Sequence, residues 1–170
     1  MARRFRGTWT HKVDGKHRVS VPAPIRKVLQ SQDPDAASDN DPVNMVIIKG
    51  RASLPCLEVY SIEGMDELDD LIARLPRYDK KRIVLSRMLA AEANDVTLDD
   101  NGRIDLGQAL REASGITDTA LFVGMTDRFQ IWDPKAFAAD QENLRDWAKS
   151  DDEDDDLFAM LHEVQSQYAP

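Results

Sequence analysis

The stretch Asp14-Gly15-Lys16-His17-Arg18-Val19-Ser20-Val21-Pro22-Ala23-Pro24-Ile25-Arg26 returns, diverged, as Asp99-Asp100-Asn101-Gly102-Arg103-Ile104-Asp105-Leu106-Gly107-Gln108-Ala109-Leu110-Arg111. One template covers both. It runs Asp, three residues, Arg, an apolar-polar-apolar run, a breaker, and a short helical run ending in Arg. An internal repeat decides architecture before local propensity does. The flanks repeat too. Val43-Asn44-Met45-Val46-Ile47-Ile48, then Cys56-Leu57-Glu58-Val59-Tyr60 and a helical stretch from Met65 to Leu75, follow the first copy. Thr119-Ala120-Leu121-Phe122-Val123-Gly124, then Phe129-Gln130-Ile131-Trp132 and a helical stretch from Pro134 towards Trp147, follow the second. Each copy reads as hairpin, short helix, two strands, longer helix. The expected fold class is α+β, built from two tandem pseudo-repeated modules with flanking helices. Either module alone is too small to bury a good core.

Turn chemistry supports the hairpins. Phe5 to Val13 reads as a strand and Arg18 to Val21 as its hairpin partner, joined through Asp14-Gly15-Lys16-His17. Asp accepts backbone hydrogen bonds in such turns, and Gly tolerates positive φ. Asp99-Asp100-Asn101-Gly102 offers the same chemistry. Pro22 and Pro24 stop the strand and open a helix whose Ile25, Val28 and Leu29 face inward. Ser31 to Pro42, rich in Asp, Ser, Asn and Pro, reads as a long exposed loop. Pro76 ends the longer helix. A further helix is expected from about Asp79 to Ala93, and the second copy begins at about Asn94.

A hydrophobic content of 42% fits a folded globule rather than a disordered chain. Cys56, the single cysteine, supports neither a disulfide framework nor a thiolate metal site, and reads as a buried apolar residue. No apolar run is long enough to span a bilayer, and the N-terminus lacks the apolar stretch of a signal peptide. A cytoplasmic location is expected, with no membrane partner.

The net charge of −9 argues against nucleic acid until its distribution is considered. Arg3, Arg4, Arg6, Lys12, Lys16, Arg18, Arg26 and Lys27 crowd the start of the first copy, with Asp14 as the one acid among them. A phosphate backbone responds to that local field rather than to the total. The competing reading is a merely solvated basic arm. Far along the chain, Asp151-Asp152-Glu153-Asp154-Asp155-Asp156 form an unbroken acidic block. Leu157, Phe158, Met160, Leu161 and Val164 then suggest a short amphipathic helix, whose N-terminal dipole those acids favour. Two roles stay open for the block: a solvated linker, or a competitor that reaches the basic hairpins.

In each hairpin the Asp either orients the Arg guanidinium or caps the turn. Arg suits phosphate and guanine-edge contacts because its planar fork binds bidentately. Phe5-Arg6-Gly7, then Asp14 with Lys16-His17-Arg18-Val19-Ser20-Val21-Pro22, and the second copy with Asp99, Gly102 and Arg103, resemble the MraZ family. The Leu57-Glu58-Val59-Tyr60 and Phe129-Gln130-Ile131-Trp132 strands look like that family as well. The resemblance runs from Phe5 to about Trp147.

That resemblance implies two tandem SpoVT-AbrB-like modules, related to swapped-hairpin and double-psi barrels. They are expected at 5–93 and 94–148, with an acidic tail at 149–170. It implies a transcriptional regulator that forms closed homo-oligomeric rings, associates with the nucleoid, and binds double-stranded DNA at repeated sites. Those sites are expected upstream of the division and cell-wall gene cluster. The family's DNA-contacting positions fall on Lys16 and Arg18, with Arg103 as the match in the second copy. His17, Arg6 and Lys12 complete the expected DNA-facing set.

Local charge pulls the other way at Arg103. It stands among Asp95, Asp99, Asp100 and Asp105, where an ion-pair role is expected; Arg18 lies among cations. Asp14, Arg26, Asp99, Gly102 and Arg111 are read as structural, with Arg26 and Arg111 bridging Asp14 and Asp99. His17 replaces the family's usual Gly, and Gly107 its usual Pro. At positive φ a histidine costs about 1 kcal/mol, unless Gly15 absorbs the strain by shifting the turn.

His11, His17 and His162 lack metal-site spacing, and no Gly-rich phosphate loop or nucleophile elbow occurs. No catalytic residue, metal, cofactor or small-molecule substrate is expected. The rival to a DNA-binding regulator is a structural or protein-interaction ring with no DNA role.

Overall fold

The computed structural model of the chain describes residues 3–50, 53–150 and 157–168. The strand expected from Phe5 is interrupted at its start. Gly7 adopts φ 99°, so Phe5 makes only an isolated bridge to Thr126, and strand β1 is Thr8–Lys12. Strand β2 is Arg18–Ser20 and helix α1 is Ala23–Ser31. The loop after α1 is anchored rather than wholly exposed. Asp33 is buried, and its Oδ2 accepts from the Asn44 backbone N–H at 2.8 Å and from Asn44 Nδ2 at 3.1 Å. A buried carboxylate must find such donors, and this one pins the loop to the next strand.

Strands β3 (Asn44–Lys49) and β4 (Leu57–Tyr60) lead into α2 (Ile62–Ala73). That helix starts earlier than its apolar spacing suggests because Ser61 caps it, its Oγ accepting from Gly64 N–H at 3.0 Å. The helix expected from Asp79 to Ala93 is shorter. Asp79 caps α3 (Lys80–Leu85), a π-helical turn spans Ser86–Ala90, and Ala93 already belongs to β5 (Ala93–Thr97). Pairing of β5 with β3 wins over helical continuation there. Strand β6 (Arg103–Asp105), α4 (Gln108–Ser114), β7 (Thr119–Gly124), β8 (Phe129–Trp132) and α5 (Pro134–Ser150) repeat the first half's order. Asp133 caps α5 through Ala136 N–H at 3.1 Å, in the slot where Ser61 caps α2.

The two halves interlock. After the Asp14–His17 turn, β2 does not form the expected hairpin ladder with β1; they share one bridge, Val13 to Val19. Instead β2 pairs antiparallel with β6, in the register Arg18↔Asp105, Val19↔Ile104, Ser20↔Arg103. Strand β1 pairs with β7, and β5 with β3. The main sheet runs β1-β7-β8-β4-β3-β5. Exchanging each strand for its counterpart reverses this order and leaves it unchanged. A pseudo-two-fold axis therefore passes between Val19 and Ile104, and between Glu58 and Gln130, which face each other across β4 and β8.

The core explains the exchange. Val19, Val21, Ile25, Leu29, Ile104, Leu106 and Leu110 from both copies join one buried cluster with Met45, Ile47, Phe122 and Phe129. Each such side chain contributes about 1.5–3 kcal/mol when fully buried. Two strands of three residues supply too little apolar surface separately. Side chains alternate along a strand, so Val46 and Ile48 face the opposite side from Met45 and Ile47. There they pack with Met65 of α2, while Leu121 and Trp132 pack with Cys56 and with Phe137 at the start of α5.

The chain divides into two units, Met1–Phe137 and Ala138–Pro170. The first holds the sheet. The second holds the rest of α5 and helix α6 (Leu157–Gln167), on which Met160, Leu161 and Val164 are exposed. The acidic block from Asp151 to Asp156 lies outside the described residues. Among the described residues, no helix is long and apolar enough to cross a membrane.

Candidate nucleic-acid interface

Asp14 holds the first turn from both of its oxygens. Oδ1 accepts from the backbone N–H of Lys16 and of Arg18, each at 2.9 Å. Oδ2 accepts from Arg18 Nε at 2.9 Å. Asp99 repeats this: Oδ1 accepts from Asn101 N–H at 2.8 Å and Arg103 N–H at 2.9 Å, and Oδ2 from Arg103 Nε at 2.9 Å. The aspartate thus caps the turn and orients the guanidinium at once. The backbone N–H of Arg18, then that of Lys16 and the Arg18 guanidinium, hold the Asp14 carboxyl below the usual carboxylate range. Arg103 and Asn101 do the same for Asp99.

His17 sits at φ 62° and its counterpart Gly102 at φ 73°. The turns therefore share one backbone path, and Gly15 does not absorb the strain. The paired N–H bonds to Asp14 Oδ1 fix the register and leave position 17 in the left-handed region. A Cβ at position 102 would also meet the Arg26 guanidinium, so that flexible side chain would have to move aside.

That contact corrects the role expected for Arg26. Among the described residues neither Arg26 nor Arg111 makes an ion pair. The carboxylates of Asp14 and Asp99 are already taken by their own turns. Arg26, from the first copy, instead lies on the second copy's turn. Arg111 Nε donates to the Leu106 carbonyl at 2.9 Å and lines a cavity with Asp14 and His17.

The two turns meet. Arg103 Nη1 stands 3.9 Å from Asp14 Oδ2, so both motif arginines converge on that oxygen. Of the four acids near Arg103 in sequence, only Asp99 pairs with it; its second partner is Asp14 from the other copy. The side chains of Arg18 and Arg103 are 32% and 27% exposed, which leaves guanidinium edges open beside the dyad. Lys16, His17, Lys12 and Arg6 are exposed. Lys12 ends β1 next to the first turn, whereas Arg6 precedes β1 at the far end of that strand.

Two further ties escaped the sequence reading. His11 Nδ1 donates to the Ser20 carbonyl at 2.6 Å and fastens β1 to β2. At the centre of the sheet's outer face, Glu58 Oε2 accepts from Arg128 Nε at 2.6 Å and Oε1 from Gln130 Nε2 at 2.9 Å; Trp132 Nε1 donates to Gln130 Oε1 at 2.9 Å. The signal was present, since Glu58 and Gln130 occupy one slot of the repeat and stand between apolar neighbours. Among the described residues, no group of His, Cys, Asp or Glu side chains is arranged to hold a metal ion.

Fold and site together define a duplicated α+β protein whose paired Asp-x-x-x-Arg turns flank an internal pseudo-dyad and are joined by the Arg103–Asp14 ion pair. A family model described as "MraZ protein, putative antitoxin-like" matches residues 89–158. A protein of Ruegeria pomeroyi named "Transcriptional regulator MraZ" is 41% identical over 164 residues, covering 95% of this chain and 96% of the relative. Proteins of the same name from a Ruegeria species and from Parvibaculum lavamentivorans are 39% and 37% identical, covering 86% and 79% of this chain and 89% and 79% of the relatives. The chain belongs to the MraZ family.

Proposed function

We propose that this protein is a sequence-specific DNA-binding transcriptional regulator that reads duplex DNA with its paired turns. One observation carries the reading: the β2–β6 ladder holds one Asp-x-x-x-Arg turn at each of its ends, Arg103 reaches Asp14 across it, and Lys16, His17 and Lys12 are exposed around Arg18. Arginines held rigid by aspartates lose little freedom on binding, which suits them to phosphate or base-edge contacts. Lys16 and Lys12 supply positioning contacts to the backbone, and His17 adds a donor at the tip. The relatives' name, "Transcriptional regulator MraZ", supports the same reading.

The finer account is part of this proposal. The modules at 5–93 and 94–148 are SpoVT-AbrB-like units whose hairpins interlock within one chain, followed by the tail at 149–170. Copies close into a ring on the nucleoid, and several paired turns engage several DNA repeats at once. Multivalency then raises affinity without strong single contacts. The repeats lie upstream of the division and cell-wall gene cluster. The chemistry needs no cofactor and no catalytic group.

One observation favours the rival, a structural ring without a DNA role: both motif arginines already have carboxylate partners. Titration of the full-length protein into labelled duplex of repeated and scrambled sequence separates the two. A DNA-binding regulator prefers one sequence and loses affinity steeply with salt. A structural ring binds neither duplex.

A further inference from the structure

Away from the turns, the N-terminal arm and α1 border an open cleft of about 510 Å³. Arg3, Arg4, Arg6 and Lys27 line it over an apolar floor that includes Phe5 and Ile25, and no acid lines it. In a chain of net charge −9, four cations gathered without a carboxylate are unexpected. None of the four makes an ion pair among the described residues. Arg3 and Lys27 also border an adjacent hollow with Asp39 and Glu63, and still make no ion pair with them. Lys27 also borders a cavity beside the second turn with Arg26 and Gly102, but Asp39, Asp41, Asp99 and Asp100 line that cavity too. The cationic cleft therefore stands apart from the paired turns, with Arg6 at the opposite end of β1 from the first turn.

We propose that this cleft is a second nucleic-acid contact, a sequence-independent seat for the DNA sugar-phosphate backbone. The inference rests on the DNA-binding reading and extends it. Unpaired guanidinium and ammonium groups match phosphate, and the apolar floor matches the edge of the deoxyribose. Because these residues touch no base edge, they raise affinity and leave sequence preference unchanged.

The test uses the full-length protein, its Arg3→Gln/Arg4→Gln variant, and Lys27→Gln as a separate variant. The substituted side chains are exposed, and circular dichroism checks that each variant is folded. Affinities are measured for a preferred duplex and a scrambled duplex across salt concentrations. The double variant should weaken both duplexes by the same factor. Two lost phosphate contacts remove about 1.8 from the slope of log affinity against log salt, so the affinity lost between about 50 and about 200 mM salt shrinks roughly tenfold. Unchanged slope and affinity in both variants would overturn the cleft assignment. Unchanged DNA binding alongside capture of a glutamate-rich peptide by the wild type alone would reassign the cleft to an acidic partner. If the wild type binds no duplex, the DNA reading and this inference fall together. If Arg18→Ala weakens binding while the cleft variants do not, the inference falls alone.

Discussion

Positions 17 and 102 share a left-handed backbone that strains histidine but not glycine, and that difference is measurable. His17 at φ 62° costs about 1–2 kcal/mol relative to a relaxed residue. His17→Gly relieves that strain but adds unfolded-state entropy, so stability should change by less than about 1 kcal/mol in either direction. Gly102→His incurs the same strain and also drives Cβ into the Arg26 guanidinium. It should lose about 2 kcal/mol or more. Urea unfolding of the two variants checks the asymmetry; a Gly102→His loss of no more than the backbone strain, about 1–2 kcal/mol, would mean that Arg26 yields freely. Arg103 acts between the copies. Its partly exposed ion pairs to Asp99 and Asp14 are worth about 0–1 kcal/mol each, so Arg103→Ala should lower the melting temperature by a few degrees. A stable Arg103→Ala protein that has lost DNA binding would show a recognition role instead.

At the scale of elements, β2 and β6 are too short to stand alone, and they hold the halves together through Val19 and Ile104. Ile104→Ala should cost about 2–5 kcal/mol. It should unfold both copies in one transition rather than melting the second alone. Calorimetry resolving two transitions would contradict the interlock. Acid acts on the turns. Asp14 and Asp99 titrate below their ordinary range when folded, so the stability they add is intact above that range and lost as pH falls through the lowered values. The Lys16 and Arg18 amide signals should move together on acidification, and Asp14→Asn should abolish that shared step. The order of these elements was legible in the sequence because turn residues and apolar alternation are local signals. Partner choice was not. Nothing within Arg18–Ser20 distinguishes pairing with β1 from pairing with β6; burying Val19 against Ile104 from the other copy decides it. Arg26 was misassigned for a similar reason. Its partner follows from which turn the interlock brings to α1, and spacing along one copy does not contain that.

At the scale of the whole molecule, a symmetric scaffold carries asymmetric charge. The pseudo-dyad makes the turns alike in backbone, while Lys12, Lys16 and Arg18 correspond to Thr97, Asn101 and Arg103 in the second copy. The first turn is thus the more cationic half of one shared face. Assembly into a closed ring in the absence of DNA is expected, and native mass measurement of the free protein at micromolar concentration checks it; a monomer there would refute it. The central claim is that the paired turns bind DNA through Arg18. Its most direct measurement is a titration of labelled repeat-bearing duplex with wild-type and Arg18→Ala protein at matched salt, with circular dichroism and native mass confirming fold and assembly. Each lost contact is worth about 1–3 kcal/mol and recurs in every engaged copy, so affinity should fall by orders of magnitude while fold and assembly persist. A folded, assembled Arg18→Ala protein that binds with wild-type affinity would contradict it.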